Sequence, residues 1–259
     1  MLRELIFYSL MAISLIHIIH VGLYIVGANI YDIKRYRIGA TQAKRKSRAK
    51  KPLVSVIIPA YNEQSSIKRT LDSILASSYK NIEVIVIDDG SKDKTKSIVR
   101  KYISSLGSTH KTKGYNGRHG RNGNLVRRFG RTSTPRTSVR IKLVAQSNSG
   151  KGAAVNNGIV NHARGSLIMT LDADSELHTN AIENAVHYFR DRSVVGVAAN
   201  VQVIDNHTML GVLQKIEHLI GYRSKKFYTV ANCEMIVGGV ASTYRATTLN
   251  KLATMTQIP

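Results

Sequence analysis

The chain has 259 residues, 43% of them hydrophobic, which is enough for one sizeable domain with a packed core. Its formal net charge of +22 is concentrated in two segments without acidic residues: nine Lys or Arg lie between Lys34 and Lys51, and ten more between Lys111 and Lys142. Without these nineteen residues the net charge is only +3, which argues against a nucleic-acid-binding fold with a basic face. The single cysteine, Cys233, excludes an intrachain disulfide.

An almost continuous apolar stretch runs from Leu5 to Ile30. A helix crosses a bilayer with about 20 such residues, whereas a signal peptide has a shorter apolar centre and a basic start. Only Arg3 is basic before the stretch and nine basic residues follow it, so the positive-inside rule places the remainder in the cytoplasm. The sequence predicts a transmembrane anchor at 1–30 and a basic juxtamembrane linker at 31–52 that attracts membrane lipids. We expect a protein of the plasma (inner) membrane with one or more passes.

From residue 53 onward, β-rich runs alternate with segments of helical periodicity, which predicts βαβ units and a mostly parallel sheet. The predicted strands are 53–58, 82–87, 140–145, 167–171, 194–203 and 235–244. The predicted helices are 65–77, 92–103, 151–162, 179–189, 209–228 and 246–255. This alternation fails at 105–139, where Gly, Ser, Thr, Asn and Arg dominate. We interpret that segment as a basic flexible insert, with a contact to anionic lipid or nucleic acid as the alternative.

Two carboxylates, Asp172 and Asp174, directly follow the apolar run Leu167–Leu171. Open α/β sheets bind ligands at the carboxyl ends of central strands, and paired carboxylates suit a hard divalent cation that could hold a diphosphate. The alternative is a solvated turn in which Asp174 or Ser175 caps the next helix. Asp88 and Asp89 end the second predicted strand in the same way. The structural role expected of Asp88-Asp89-Gly90-Ser91 is a turn that caps the next helix, which is compatible with ligand binding.

Four stretches that end or follow strands together resemble the inverting family 2 glycosyltransferases of GT-A fold. They are Val54–Glu63, Val86–Ser91, Asn148–Gly158 and Leu171–Asp174. The apolar anchor, the Gln214/Glu217 helix and Gly238–Arg245 narrow the resemblance to processive membrane synthases. These include poly-β-1,6-N-acetylglucosamine synthase, chitin-oligosaccharide synthase and hyaluronan synthase, of which we favour the first.

The resemblance implies a role for each residue at these strand ends. Tyr61 offers its ring to the nucleobase, and Asp89, rather than Asp88, accepts the uracil imide N–H. Lys151 meets the diphosphate, Asp172 faces ribose or sugar, and Asp174 ligates Mg²⁺ or Mn²⁺. The full set expected to bind the nucleotide-sugar is Pro59, Ala60, Tyr61, Glu63, Asp89, Lys151 and Asp172, with Asp174 as the metal ligand. A surface lysine on a capped helix is the alternative for Lys151.

The implied reaction moves a sugar, N-acetylglucosamine being favoured, from a UDP-sugar to a growing polysaccharide or glycolipid with inversion. It needs a general base. The family's Thr/Gly-Glu-Asp motif is absent, because no acidic residue lies between Gly239 and Pro259, and the chain also lacks Trp and the Gln-x-x-Arg-Trp motif.

We therefore expect 53–259 to be a GT-A domain without its C-terminal part, which binds UDP with metal but transfers sugar poorly, and no nucleic-acid partner. The alternatives are a non-processive lipid-phosphate glycosyltransferase and an inactive anchored UDP-binding fragment.

Overall fold

The computed structural model describes residues 2–43, 51–108, 139–203, 208–233 and 238–255. Most of the predicted insert at 105–139 lies outside these ranges. The helices are α1 Leu2–Ala43, α2 Ile67–Leu75, α3 Thr95–Ser108, α4 Lys151–Asn157, α5 Ala181–Tyr188, α6 Met209–Val230 and α7 Ala246–Met255. The strands are β1 Val54–Ala60, β2 Ile82–Asp89, β3 Arg140–Gln146, β4 Leu167–Thr170, β5 Gly196–Val197 and β6 Ser242–Arg245. The chain divides into two units, Met1–Lys50 with Asn200–Gly238, and Lys51–Ala199 with Gly239–Pro259.

The second unit is built on a six-stranded sheet in the order β3-β2-β1-β4-β6-β5. The first four strands of this order run parallel, and β6 is antiparallel to both β4 and β5. In the centre, Val54 of β1 pairs with Ile82 of β2 on one side and with Leu167 of β4 on the other. The predicted α/β fold with a mostly parallel sheet is therefore confirmed, and the carboxyl ends of β1, β2 and β4 lie at one edge.

Both faces of the sheet are covered by helices. Successive side chains of a strand point to opposite faces, so each central strand contributes to two cores. Val56 and Val84 belong to a large core with Leu71 of α2, whereas Ile57 packs in a smaller core with Ala154 of α4. Burying an aliphatic side chain of this size contributes about 1.5–3 kcal/mol. On the face that carries Ile57, the π-helical turn Gly158–His162, which follows α4, lies very close to β1. A Cβ on Gly158 would lie 2.6 Å from Ile57 Cγ2.

The last two strands differ from the prediction. The strand predicted at 194–203 is wrong in extent, since β5 covers only Gly196–Val197. It is short because it pairs only with Tyr244 and Thr243 at the edge of the sheet. Of the strand predicted at 235–244, residues 235–237 lie outside the described ranges, and β6 begins at Ser242. It cannot begin earlier because Gly239 and Ala241 have φ values of 100° and 57°, which interrupt an extended backbone.

Arg245, which ends the predicted Gly238–Arg245 motif, ties a loop to the end of β6. Its Nε donates to the Val194 carbonyl at 2.7 Å, and its Nη2 donates to the carbonyls of Phe189 at 2.8 Å and Asp191 at 2.6 Å. The guanidinium also lies over the Phe189 ring, 5.3 Å from its centroid. This motif residue therefore has a structural role, holding the segment between α5 and β5.

The first unit pairs α1 with α6. Tyr24 and Tyr228 share a hydrogen bond of 2.9 Å between their hydroxyls, and Lys226 Nζ lies 2.8 Å from both carboxylate oxygens of Asp32. The two helices thus run antiparallel. They also approach closely, because a Cβ on Gly27 would lie 2.3 Å from the Phe227 ring.

Within the described ranges, the segment Leu2–Lys34 of α1 is long and apolar enough to cross a membrane: it has 33 residues, and an 18-residue stretch within it has a mean hydropathy of 2.0. The helix itself continues to Ala43, into the predicted linker at 31–52. The structure also groups α6 with α1, whereas the sequence-based boundaries placed it in the domain at 53–259. Those boundaries remain a prediction.

Candidate functional site

An open cleft with a volume of about 200 Å³ lies at the carboxyl ends of β1, β2 and β4. Its lining residues come from the last residues of β1 and β2, from the loops that follow β1 and β4, and from the start of α4. They are Pro59, Ala60, Tyr61, Glu63, Asp89, Lys151, Asp172, Ala173 and Asp174. The structure therefore brings all eight residues predicted from the sequence to one cleft, and it adds Ala173.

The loop after β1 is held by the loop after β2. Asn62 has a φ of 57°, and its backbone N–H donates to Ser91 Oγ at 3.1 Å. In return, the backbone N–H of Lys92 donates to Asn62 Oδ1 at 2.9 Å. The neighbouring Tyr61 side chain is left 42% exposed in the cleft. An exposed ring on a loop fixed in this way is a preorganised surface for a flat ligand group.

Asp93, just before α3, adds a further link between the loops that follow β1 and β2. Its Oδ2 accepts from the backbone N–H of Gln64 at 3.0 Å, and its Oδ1 accepts from the backbone N–H of Thr95 at 2.9 Å. The Thr95 hydroxyl in turn accepts from the backbone N–H of Glu63 at 2.8 Å. Burial would raise the pKa of Asp93, but these hydrogen bonds favour the ionised form and lower the pKa overall. Asp93 therefore supplies a carboxylate hydrogen bond to the first residue of α3.

Asp89 is 3% exposed and accepts three hydrogen bonds from the protein. Its Oδ1 accepts from Gln146 Nε2 at 2.8 Å and from the backbone N–H of Ser149 at 2.9 Å, and its Oδ2 accepts from the backbone N–H of Gly150 at 2.9 Å. Burial alone would raise the pKa of Asp89, but these hydrogen bonds outweigh it and lower the pKa. A carboxylate has about four acceptor positions, so one remains for a ligand.

The turn that follows Asp89 depends on a glycine, because it lies close to the backbone of the loop that contains Ser149 and Gly150. Gly90 has a φ of 74°, and a Cβ there would lie 2.9 Å from the Asn148 backbone nitrogen. Asp88 precedes Asp89 and therefore points to the opposite face of β2. Its Oδ1 is buried without a hydrogen-bond partner among the described residues, and Asp88 does not line the cleft. The choice of Asp89 over Asp88 as a cleft residue agrees with this geometry.

The acids after β4 are held differently. Asp172 Oδ1 lies 2.8 Å from Lys151 Nζ, with 32% of the Asp172 side chain and 68% of the Lys151 side chain exposed. Asp174 is exposed, and its Oδ1 accepts from the Ser175 hydroxyl at 3.3 Å. Between them, the carbonyl of Ala173 accepts from the buried Thr70 hydroxyl at 2.7 Å, which fixes the backbone. The two carboxylates thus stand on a fixed loop with free acceptor positions.

The capping alternative for this loop does not hold. Helix α5 begins at Ala181, with Asn180 as its N-cap residue, so it starts well after Asp174 and Ser175. The alternative for Lys151 was a surface lysine on a capped helix. Its side chain is indeed exposed, but its ammonium also forms an ion pair with Asp172 in the cleft.

Asp172 and Asp174 fit a divalent cation whose remaining ligands come from a bound substrate. Among the described residues, no group of three or more His, Cys, Asp or Glu side chains could hold a metal alone. Mg²⁺ is usually bound by only one or two carboxylates, with substrate phosphates and water completing its octahedron. Asp172 and Asp174 supply that number of carboxylates, so they suit a cation that arrives with, or waits for, a phosphate-bearing ligand.

Sequence reasoning missed the residues that hold Asp89. Gln146, at the end of β3, donates to Asp89 and accepts from Asn157 Nδ2 at 2.7 Å. The signal was present, because Gln146 lies directly opposite Asp89 in the register of two parallel strands. The contribution of Ser149 could not be read from the sequence, since it uses a backbone N–H that any residue would supply.

Comparison with known proteins assigns the family. A family model described as Glycosyl transferase family 2 matches residues 55–129 and 131–252. An uncharacterised glycosyltransferase of Rickettsia typhi is 31% identical over 156 residues, which cover 60% of this chain and 38% of the relative. The poly-beta-1,6-N-acetyl-D-glucosamine synthase of Staphylococcus aureus is 28% identical over 219 residues, 79% of this chain and 44% of the synthase. This chain thus spans less than half the length of either relative.

Among solved structures, a mannosyltransferase from Pyrobaculum calidifontis in complex with GDP-Man and Mn²⁺ shares the fold. The TM-score is 0.52 at 21% sequence identity, over 90% of this chain and 58% of that one. The resemblance predicted from four short stretches is confirmed by the family match, and the GT-A-like architecture by this structural likeness.

Proposed function

The chain belongs to glycosyl transferase family 2, and from that premise we propose that its cleft binds a UDP-sugar with Mg²⁺ or Mn²⁺ for the transfer of N-acetylglucosamine with inversion. The acceptor is a growing polysaccharide or a glycolipid. The observation that carries the proposal is the single cleft in which the loops after β1, β2 and β4 meet. The relative from Staphylococcus aureus, a poly-beta-1,6-N-acetyl-D-glucosamine synthase, supports the choice of sugar and polymer.

The nucleoside binds between the first two loops in this proposal. The exposed Tyr61 ring stacks on the base, and the backbone of Pro59 and Ala60 lines the same side of the cleft. The remaining acceptor position of Asp89 receives the uracil imide N–H. An ionised carboxylate only accepts hydrogen bonds, so this contact favours uracil over cytosine, whose N3 is itself an acceptor.

The diphosphate lies between Lys151 and the acids after β4. The Lys151 ammonium donates to phosphate oxygens. Asp174 and Asp172 supply carboxylate oxygens for the cation, and Asp172 also faces the ribose or sugar. Glu63 lines the same cleft. When bound, the cation supplies Lewis-acid neutralisation of the charge that develops on departing UDP. The mannosyltransferase that shares the fold was solved with GDP-Man and Mn²⁺, which supports this use of a divalent cation.

We further propose that α1 anchors the chain in the plasma (inner) membrane, with the sheet unit on the cytoplasmic side. The length and hydropathy of Leu2–Lys34 support the anchor, and the nine basic residues from Lys34 to Lys51 support the orientation. Membrane lipids are then partners of α1 and of the basic segment that follows it.

Calorimetric titration of the full chain in detergent tests the donor. We expect UDP-N-acetylglucosamine to bind more tightly than UDP-glucose or UDP-glucuronate in the presence of Mn²⁺, and all three to lose affinity when EDTA is added. Asp174→Ala should abolish the effect of Mn²⁺ on affinity. The matched control is Glu176→Ala, which removes an exposed carboxylate two residues further on, outside the cleft.

The results would contradict the proposal in two separate ways. If no UDP-sugar binds with Mn²⁺ present, the cleft is not a donor site. If the three donors bind equally, or if UDP-glucose binds best, the choice of N-acetylglucosamine is wrong, although the donor site stands.

A further inference from the structure

The contact between Lys151 and Asp172 has a consequence for metal binding. The Lys151 ammonium lies 2.8 Å from Asp172 Oδ1, and it therefore occupies a carboxylate oxygen that a divalent cation would use. Both groups line the cleft. Asp172 is the residue just before Ala173, whose backbone is fixed by Thr70, so the carboxylate stays in place while the lysine side chain, 68% exposed, is free to swing.

We propose that Lys151 and the divalent cation compete for Asp172, and that entry of the metal-bound nucleotide transfers Lys151 from Asp172 to the diphosphate. Lys151 is then a stored counter-ion. It offsets the charge of Asp172 before the donor binds, and it becomes a phosphate ligand when the donor is bound. This inference rests on the proposed function, since it needs a cation and a diphosphate in the same cleft.

The charge of the cleft explains why such an exchange is needed. The lining residues include four carboxylates and a single ammonium. These are Glu63, Asp89, Asp172, Asp174 and Lys151. A diphosphate entering without metal would face this excess of negative charge, with Lys151 already engaged. The cation removes both obstacles, because it neutralises the acids and releases Lys151.

The ion pair is weak enough to be exchanged. Pairs between solvent-exposed charges contribute little, because water screens them and ordering the long side chains costs entropy. The expected gain in metal affinity on removing the competing lysine is therefore about fivefold and not several orders of magnitude. Loss of a charged donor to the diphosphate should cost more, about tenfold or above in nucleotide affinity.

The test measures two affinities of the full chain in detergent, for wild type and Lys151→Ala. Mn²⁺ is titrated without nucleotide and followed by the electron paramagnetic resonance signal of the free ion. UDP is then titrated by calorimetry at saturating Mn²⁺. We expect opposite signs, with Mn²⁺ bound about fivefold more tightly by Lys151→Ala and UDP bound about tenfold more weakly.

Lys68→Ala is the matched control. Lys68 Nζ lies 2.9 Å from Asp72 on α2, outside the cleft, in an exposed pair of similar geometry. Its removal changes the net charge by the same amount and should alter neither affinity.

The outcomes separate the inference from the proposed function. Unchanged or weaker Mn²⁺ binding by Lys151→Ala, or no Mn²⁺ binding by either protein without nucleotide, overturns the competition. If UDP still binds wild type with Mn²⁺ in that case, the donor site itself stands. If wild type binds no UDP at saturating Mn²⁺, the proposed function has failed as well. Equal changes in Lys68→Ala would reduce the effect to net charge and also overturn the inference.

Discussion

The two acidic strand ends of this cleft are built in opposite ways. Asp89, after β2, is 3% exposed and accepts three hydrogen bonds from the chain. Asp174, after β4, is exposed and accepts one long hydrogen bond from Ser175. Both positions follow from the same rule, that parallel strands present their carboxyl ends at one edge. Yet the protein occupies three of about four acceptor positions of the first acid, and it leaves most of those of the second to a ligand.

This difference separates an acid that holds a loop in place, besides facing the cleft, from an acid whose oxygens are mainly available to a ligand. A buried carboxylate with three donors fixes the loop that contains Ser149 and Gly150, and its removal leaves those N–H groups without acceptors. An exposed carboxylate contributes little to folding, and its oxygens are available to a cation. Variants at the two ends should therefore affect stability and binding in different proportions.

The largest effect is expected for Asp89→Ala. The change removes the acceptor of Gln146 and of two backbone N–H groups, and we expect it to lower the free energy of unfolding by about 2–3 kcal/mol. It should also abolish measurable UDP binding, because the loop before Lys151 loses its anchor. Chemical denaturation followed by circular dichroism measures the first effect, and calorimetry measures the second. A variant as stable as wild type would show that the loop does not depend on Asp89.

Asp174→Asn should leave the stability of the chain nearly unchanged and affect only the binding of metal and nucleotide. The amide keeps the size of the side chain, so we expect the free energy of unfolding without ligand to change by less than about 0.5 kcal/mol. A ligand that binds only the folded state raises the unfolding temperature by mass action. UDP with Mn²⁺ should therefore raise the unfolding temperature of wild type and leave that of Asp174→Asn almost unchanged. A full ligand-induced shift in the variant would remove Asp174 from the metal site.

The same comparison shows how far sequence could predict the site. Residue positions at strand ends were predictable, because apolar runs end at polar residues such as Asp89 and Asp172, and the sheet brings those ends together. Their environments were harder to predict. The strand register places Gln146 opposite Asp89, but Asp89 also accepts from the backbone N–H of Ser149, which lies in the loop after β3. The pairing of Lys151 with Asp172 likewise depends on where α4 begins relative to β4.

The fold was predictable to a similar depth. All four parallel strands matched the predicted positions, and three of them, β1, β2 and β4, are apolar runs that are almost wholly buried. A strand buried on both faces has a distinctive composition. The antiparallel edge did not match. The predicted strand at 194–203 is apolar enough, but β5 has only a four-residue partner, β6, and the positive φ of Ala241 limits where that partner begins. Pairing partners and backbone φ values are tertiary properties that composition does not encode.

Substitutions of Tyr61 test whether its exposed ring, on the loop fixed by Asn62 and Ser91, stacks on the nucleobase. Stacking of a base on an aromatic ring is worth about 1–3 kcal/mol when the ring is replaced by alanine. We expect Tyr61→Ala to weaken UDP binding about tenfold, and Tyr61→Phe, which keeps the ring, to bind nearly as well as wild type. Calorimetry with Mn²⁺ present measures both. Equal losses in the two variants would assign the contribution to the hydroxyl and not to the ring.

The smallest expected effect is a difference in acid sensitivity. The pKa of Asp89 in the folded chain lies below its ordinary value because the hydrogen bonds from Ser149, Gln146 and Gly150 outweigh burial. A carboxyl with a lowered folded pKa contributes stability that is fully present above its unfolded pKa of about 3.9 and is lost as the pH falls through the folded pKa. Asp89→Asn cannot titrate, so its free energy of unfolding should fall less steeply than that of wild type below about pH 5.

Gln146→Ala is the control for this measurement, because it removes one of the three hydrogen bonds but keeps the titrating group. Its slope of stability against pH should lie between those of wild type and Asp89→Asn, since the pKa of Asp89 would be lowered by two donors instead of three. Urea titrations at several pH values between about 3 and 6 measure the three slopes. Identical slopes would mean that Asp89 is ionised no more readily in the folded chain than in the unfolded one. The contrast between an acid held mainly by the protein and an acid left mainly to a ligand would then lose its electrostatic basis.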